Sequence, residues 1–162
     1  MHGDGPLAGE PCEGNGYLAA HAALMIESFR RWTGRELIPP AVPPDRRARE
    51  LFEARFVVVS HDASPDPVLT YGNRAALALW ETDWKTLAAM PSRLTAEALE
   101  RRERERLLDR VSRRGYIDDY NGIRISATGR RFRIAGATVW NLVDAAGGHR
   151  GQAAMFSRWE YL

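Results

Sequence analysis

Few side chains in this sequence combine into anything that could do chemistry, and the most suggestive sets are neighbours along the chain. Asp118-Asp119 is the one paired carboxylate with the look of an acid–base site. Such pairs work when their surroundings split the two pKa values. Adjacent strand residues point to opposite faces, so these two cannot converge on one substrate atom. One exposed acid and one paired with an arginine, Arg124 or Arg133, is the simpler assignment. Ser60-His61-Asp62 spells a triad in a line, but triads converge in space rather than in sequence. No GxSxG, P-loop or GxGxxG pattern accompanies it. His61 and His149 lack a second ligand at metal spacing, His2 and His21 lie in the N-terminal part, and no Cys/His cluster exists, so no metal site is expected.

Other polar and aromatic residues have structural readings that come first. Asn73 precedes an alanine- and leucine-rich stretch, where a short amide satisfies first-turn N–H groups and contributes about 1 kcal/mol. A ligand contact by Asn73 is secondary to that cap. Trp80, Trp84, Trp140 and Trp159 bury large areas as core anchors. Trp80 and Trp140 could also wall an internal pocket for a flat ligand. The run Glu100–Arg106 alternates sign, and Glu97/Arg101, Glu100/Arg104 and Asp109/Arg113 sit at i,i+4 with the acid first. Such mixed runs form a solvated helix face. Arg133, Thr138, Asn141, Gln152 and Ser157 offer hydrogen bonds among apolar neighbours. Alternation puts Phe132 and Ile134 on one face and Arg131 and Arg133 on the other. A bulge near Ala135-Gly136 would reset that register and decide which face Thr138 and Trp140 occupy.

These residues need elements to hold them. Residues 1–15 read as a flexible tail rich in Gly, Pro and acid, and residues 16–54 as a helical extension with a proline-rich connector. Leu18, Ala22, Met25, Ile26 and Phe29 recur at helical spacing, and Gly34 supplies a stop. That stripe either covers a sheet or meets a second copy of the chain, which makes these five the candidate dimer contacts. Residues 38–44 carry four prolines and form a stiff connector, after which Asp45 can cap a short helix to about Ala54. Residues 55–162 form the main domain. Strands are expected at Phe56–Ser60 and Val68–Tyr71, and helices at Arg74–Glu81 and Trp84–Met90, the latter capped by Asp83. A long charged helix runs from near Thr95 to Gly115, with Leu99, Leu107, Leu108 and Val111 inward. Three closing strands span 116–126, 131–143 and 151–159. An antiparallel sheet with helices on one face follows from this order.

The bulk composition agrees with one such domain. The 162 residues are 44% hydrophobic and 27% charged, enough to bury a proper core. The formal net charge of +2 is too small and too dispersed for a dedicated nucleic-acid binder. No apolar run approaches the roughly 18–20 residues that span a bilayer. With a single cysteine, Cys12, and no secretory signal at the start, a cytoplasmic setting is the expectation.

Residues 56–94 carry a resemblance. Strand, proline-broken turn, second strand, Asn73 and two short helices resemble the opening of a PAS-type sensor domain. The wording from Tyr71-Gly72-Asn73-Arg74-Ala75-Ala76-Leu77 to Met90-Pro91-Ser92-Arg93-Leu94 is similar to the MEKHLA family, a PAS-like module of small bacterial proteins and plant regulators. The resemblance covers roughly residues 55–159 and implies an α+β, PAS-like five-stranded antiparallel sheet of order 2-1-5-4-3. It also implies a small-ligand pocket between sheet and helices. The candidates for its lining are Val57, Val59, Tyr71, Asn73, Leu77, Trp80, Met90, Leu94, Leu107, Val111, Tyr120, Ile123, Phe132, Thr138, Trp140, Gln152 and Met155. Residues 91–95 lack the cysteine of photoadduct flavin domains, and residues 95–114 lack the histidine of haem PAS domains. Haem and photoreactive flavin are therefore disfavoured, and the ligand is left unknown. The expected role is a sensory or regulatory module, not an enzyme, acting through a small ligand, homodimerisation or an unknown protein partner. The alternatives are a small cone-shaped α+β enzyme of the isomerase or dehydratase type, and a purely structural dimerisation module.

Overall fold

A computed structural model of the chain describes residues 9–97 and 100–162. Its elements are α1 (Ala19–Thr33), α2 (Arg47–Glu53), β1 (Val57–His61), β2 (Leu69–Gly72), α3 (Arg74–Leu79), α4 (Trp84–Leu87), α5 (Arg101–Arg114), β3 (Tyr116–Ile125), β4 (Arg131–Val143), β5 (His149–Phe156) and β6 (Arg158–Tyr161). The strands form one antiparallel sheet along the path β2-β1-β5-β4-β3. The expected last strand divides in two. β6 resumes pairing with β4 beyond Ser157, from Ala135↔Arg158 to Phe132↔Tyr161.

Local chemistry sets most element ends. Asn73 and Asp83 cap α3 and α4 by accepting from the N–H of Ala76 (3.1 Å) and Thr86 (2.8 Å), and Gly34 closes α1. Two openings differ from expectation. α2 is preceded by a 3-10 turn at Pro44–Arg46, so Asp45 lies inside that turn and caps nothing. The charged helix starts at Arg101, after a separate 3-10 turn over Ser92–Thr95. Leu99 falls outside the described residues.

Helices cover both faces of the sheet. α3 and α5 lie on one side, as expected, while the N-terminal extension puts α1 and α2 on the other. β1 divides accordingly: Val57 joins Leu107, Val111 and Trp80, whereas Val58 joins Met25, Phe29 and Leu51. On β4 the division changes partway. Between Tyr120↔Ala137 and Gly122↔Ile134, β4 spends one residue more than β3. The surplus falls at Ala135-Gly136, where Gly136 takes a φ of 68° that suits glycine, and its N–H donates to Asn121 Oδ1 at 3.0 Å. Phe132 and Ile134 before the bulge, and Ala137 and Val139 after it, thus share the α5 side. Trp140 turns to the α1 side.

Candidate functional site

The α1 side of the sheet is closed by aromatic packing with its polar groups mostly paired. Phe29 meets Trp140 edge-on, with centroids 4.9 Å apart, and the Trp140 indole donates to the Met25 carbonyl at 3.2 Å. Trp32 Nε1 donates to the Asn141 carbonyl, and Ser28 bonds both backbone groups of Val143. Ala22, Met25, Ile26 and Phe29 are buried against this chain's own sheet, and Leu18 packs at the edge of the same cluster. The helical stripe read as either cover or dimer contact is therefore cover. Tyr71, Thr138, Trp140 and Met155 also belong to this side and line no cavity with α5. Thr138 donates to Asp118 at 2.6 Å, and Arg35 pairs with Asp118 at 3.0 Å. The carboxyl's partner is thus Arg35 of the extension, not Arg124 or Arg133. Thr138 and Arg35 hold Asp118 below the usual carboxylate range, while Asp119 is exposed at φ 58°. Arg133 faces outward and pairs with Glu160.

The linear Ser60-His61-Asp62 set is pulled apart by the strand period. Ser60 turns toward α1, within 2.9 Å of both His21 Nε2 and Thr70 Oγ1, whereas His61 turns toward α5. Burial pushes His21 down to about 4, so its imidazole is neutral at pH 7.

Asn73 is structural throughout. Its Oδ1 accepts from Val58 and Ala76, and its Nδ2 donates to Leu51 and Phe56, which uses both lone pairs and both N–H groups. It ties α2, β1 and α3 together and has no group to spare for a ligand. Leu77 and Met90 pack into the α1-side cluster, and Leu94 is 43% exposed. Val57, Val111 and Phe132 are buried on the α5 side without bordering its cavity. Ile123 is half-buried opposite Arg133.

That cavity, about 70 Å³, lies between the sheet, α5, Trp80 and the Ser92–Thr95 turn. Of the residues expected to line a pocket, it gathers Val59, Trp80, Leu107, Tyr120 and Gln152. Much of the wall is apolar, including Leu107, Ile134, Val139 and Phe156. Gln152 Nε2 donates toward Asn141 Oδ1 and the Leu108 carbonyl, and Asn141 donates to the Val111 carbonyl, fastening α5 to the sheet. The volume is on the order of five water-sized spheres at about 10–15 Å³ each.

The polar part of the wall holds residues that sequence reading missed. Arg104 and Arg124 border the cavity, 5% and 7% exposed, and neither has a carboxylate at ion-pair distance among the described residues. Arg104 donates from one nitrogen to Ser92 Oγ. Arg124 donates to its neighbour's carbonyl at Ile123 (2.9 Å) and to the Tyr120 hydroxyl (3.3 Å), which itself donates to Glu103 at 2.8 Å. The Tyr120 ring lies across Gly122, leaving no room there for a Cβ. Burial first, and then the charge of Arg124, bring Arg104 down to about 10. It remains cationic at neutral pH. Two atoms of the lining residues are buried without a partner among the described residues: Trp80 Nε1 and His61 Nε2. His61 Nδ1 lies 2.9 Å from the Asp62 carbonyl and must donate to it, so neutral His61 presents Nε2 as an acceptor. Burial is the main reason its pKa is lowered.

The charge pattern of α5 resolves accordingly. Asp109 and Arg113 pair at 3.0 Å as expected, but Glu97 pairs with Arg131 from β4, and Arg104 leaves the solvated face altogether. A flavin or haem does not fit this arrangement, because the cavity is several-fold below the about 300 Å³ at which drug-sized ligands begin to fit. Cys12 lies in the segment before α1 and is exposed. Among the described residues no helix is long and apolar enough to cross a membrane.

Comparison with known folds agrees with the sheet order. The PAS domain of a protein from Colwellia psychrerythraea is 10% identical, with a TM-score of 0.60 over 72% of this chain and 94% of that one. An RNA-binding light-oxygen-voltage receptor is 18% identical, with a TM-score of 0.60 over 74% of this chain, which spans only 34% of the receptor. A light-oxygen-voltage domain studied with a flavin analogue is 14% identical, with a TM-score of 0.57 over 71% of this chain and 83% of that one. At such identities the likeness is one of fold. No curated protein sequence matches significantly. The model of the MEKHLA domain matches residues 19–161, so α1 is part of the domain it describes rather than an appendage. With its PAS-like sheet flanked by that helix, the chain belongs to the MEKHLA domain family.

Proposed function

We propose that this protein is a regulatory module that takes a small ligand into the cavity between the sheet and α5. The observation that carries this reading is a mostly apolar cavity whose wall includes residues with buried polar atoms lacking a partner among the described residues. Natural interiors pair such groups, and exceptions concentrate where another molecule binds. Occupation would act on α5 most directly, since Arg104 and Leu107 both belong to it. With the α1 stripe covered, transmission to a second copy or another chain would use the outer surface of α5 or the sheet edges.

Native mass spectrometry of protein purified from cells, paired with amide NMR spectra before and after dialysis, tests this. A small retained mass is expected, with shifts centred on Trp80, Arg104 and Gln152 when it is lost. Protein without adduct, whose spectra stay unmoved by a panel of small neutral and charged molecules, would sink the reading.

One observation favours an enzyme as second reading: His61, a neutral imidazole bordering the cavity with an Nε2 unpartnered among the described residues, has the form of a general base. Turnover of a bound small molecule that His61→Gln abolishes, without loss of binding, would establish it.

A further inference from the structure

Arg104 and Arg124 are the least expected side chains in this interior. A guanidinium removed from water without a counter-charge is strongly unfavourable, and two near each other are worse. Here both are more than nine-tenths buried, on different elements, and border the same space. Their present partners are neutral: the Ser92 hydroxyl, the Tyr120 hydroxyl and the Ile123 carbonyl. Glu103 is reached only through Tyr120, and Glu105 and Asp66 act on Arg104 through space without forming an ion pair. Arg104 makes a single side-chain hydrogen bond, to Ser92, and Trp80 adds a buried indole N–H without a partner among the described residues. Every one of these groups donates, and what they lack in common is an anion.

The rest of the wall selects the kind of anion. Leu107, Ile134, Val139 and Phe156 offer nothing to a polar oxygen but suit a short hydrocarbon body. A phosphate, polar on all sides, would leave oxygens against them. A carboxylate matches the planar fork of arginine at one end and can be apolar at the other. We propose that the cavity binds a short-chain carboxylate of about five non-hydrogen atoms, its carboxylate held between Arg104 and Arg124 and its tail against Leu107 and Val139. This rests on the ligand-binding function above and names the class of ligand.

Calorimetric and NMR titration of the full chain, cleared of retained ligand, with sodium propionate, propionamide and inorganic phosphate tests it. Propionate should bind and shift Trp80 Nε1–H. Propionamide, equal in size but neutral, should bind at least tenfold more weakly. Arg104→Met and Arg124→Met should each weaken propionate at least tenfold. Should either variant fail to fold, the contrast between propionate and propionamide in the unaltered protein still decides. Equal binding of acid and amide would overturn the anion while leaving a ligand pocket. Tighter binding of phosphate would overturn the carboxylate class. No binding of any probe, with no retained ligand, would remove both the proposal and the function beneath it.

Discussion

On the α1 side of the sheet, Phe29, Trp140 and Leu142 fill the space, and the Trp140 indole finds a carbonyl across the layer. On the α5 side, Trp80 meets Phe132 at a similar edge-on angle, with centroids 5.2 Å apart, yet its indole N–H has no partner among the described residues. Both faces are built from the same strands with the same residue types. What separates them is that the α1 side leaves a single buried hydroxyl, Tyr71 Oη, without a partner among the described residues, whereas the α5 side leaves two such atoms and a void bordered by two buried arginines. A sheet covered on both faces can divide its labour in this way. The first layer supplies stability, and the second can carry unpaired groups at a cost that the first offsets.

The largest effect should come from opening the finished face. Trp140→Ala removes a fully buried indole together with its bond to Met25, and should cost about 3–5 kcal/mol in denaturant unfolding. A loss below about 1 kcal/mol would mean that α1 contributes little to the fold, and the contrast between faces would fail.

Much of the architecture was legible because its causes are local. The caps supplied by Asn73, Asp83 and Gly34 act on groups within four residues, which made the helix ends legible, whereas the bonds from Asn73 to Leu51, Phe56 and Val58 depend on distant parts of the chain. The site was less legible for the opposite reason. Arg104 sits in a run whose alternating signs read identically whether the residue is solvated or buried. Only the approach of Ser92 from another turn makes the difference. Trp140 and Thr138 could not be assigned a face because one extra residue at Ala135-Gly136 reverses the parity of everything after it. The possibility of that bulge could be read from the glycine, whereas its presence is set by pairing with β3. The destination of the α1 stripe was open for the same reason, since an apolar face does not name what it meets.

Acid should next distinguish the faces. His21, on the α1 side, is held down to about 4 by burial, against an ordinary value of 6.5. The unfolded chain therefore takes up a proton as the pH falls through about 6.5, and the folded chain only near 4. The contribution is fully present above that upper value and is lost progressively between the two. It amounts to roughly 3 kcal/mol at about 1.36 kcal/mol per pKa unit. His61, lowered mainly by burial on the other face, adds a slope of the same sign. Asp118, held low by Thr138 and Arg35, loses its contribution only in a more acidic window, as pH falls below its ordinary 3.8. Denaturation midpoints across pH 4–7 should therefore flatten in His21→Leu and again in His61→Leu. An unchanged slope in His21→Leu would show that its ring is not neutral in the folded chain. Carboxylate bound near His61 would favour its protonated form and reduce only the His61 part of the slope.

The smallest effect isolates one N–H on each face. Trp140→Phe and Trp80→Phe delete similar volumes from buried sites, so their packing losses largely cancel in the comparison. They differ in what the indole N–H was doing. At Trp140 it satisfies the Met25 carbonyl, and its loss leaves that acceptor short of a partner. At Trp80 it has no acceptor among the described residues, so its removal takes away a desolvated donor and no bond seen there. Trp140→Phe should thus be the more destabilising in ligand-free protein by about 1 kcal/mol, the net worth of a buried hydrogen bond. The order is informative because a ligand can invert it. If Trp80 Nε1–H donates to a bound carboxylate, adding propionate should raise the unfolding midpoint of Trp140→Phe, as of the unaltered protein, and raise that of Trp80→Phe much less. Equal stabilisation of both variants would mean that the Trp80 N–H is not aimed at the ligand. The carboxylate would then be held by the arginines alone.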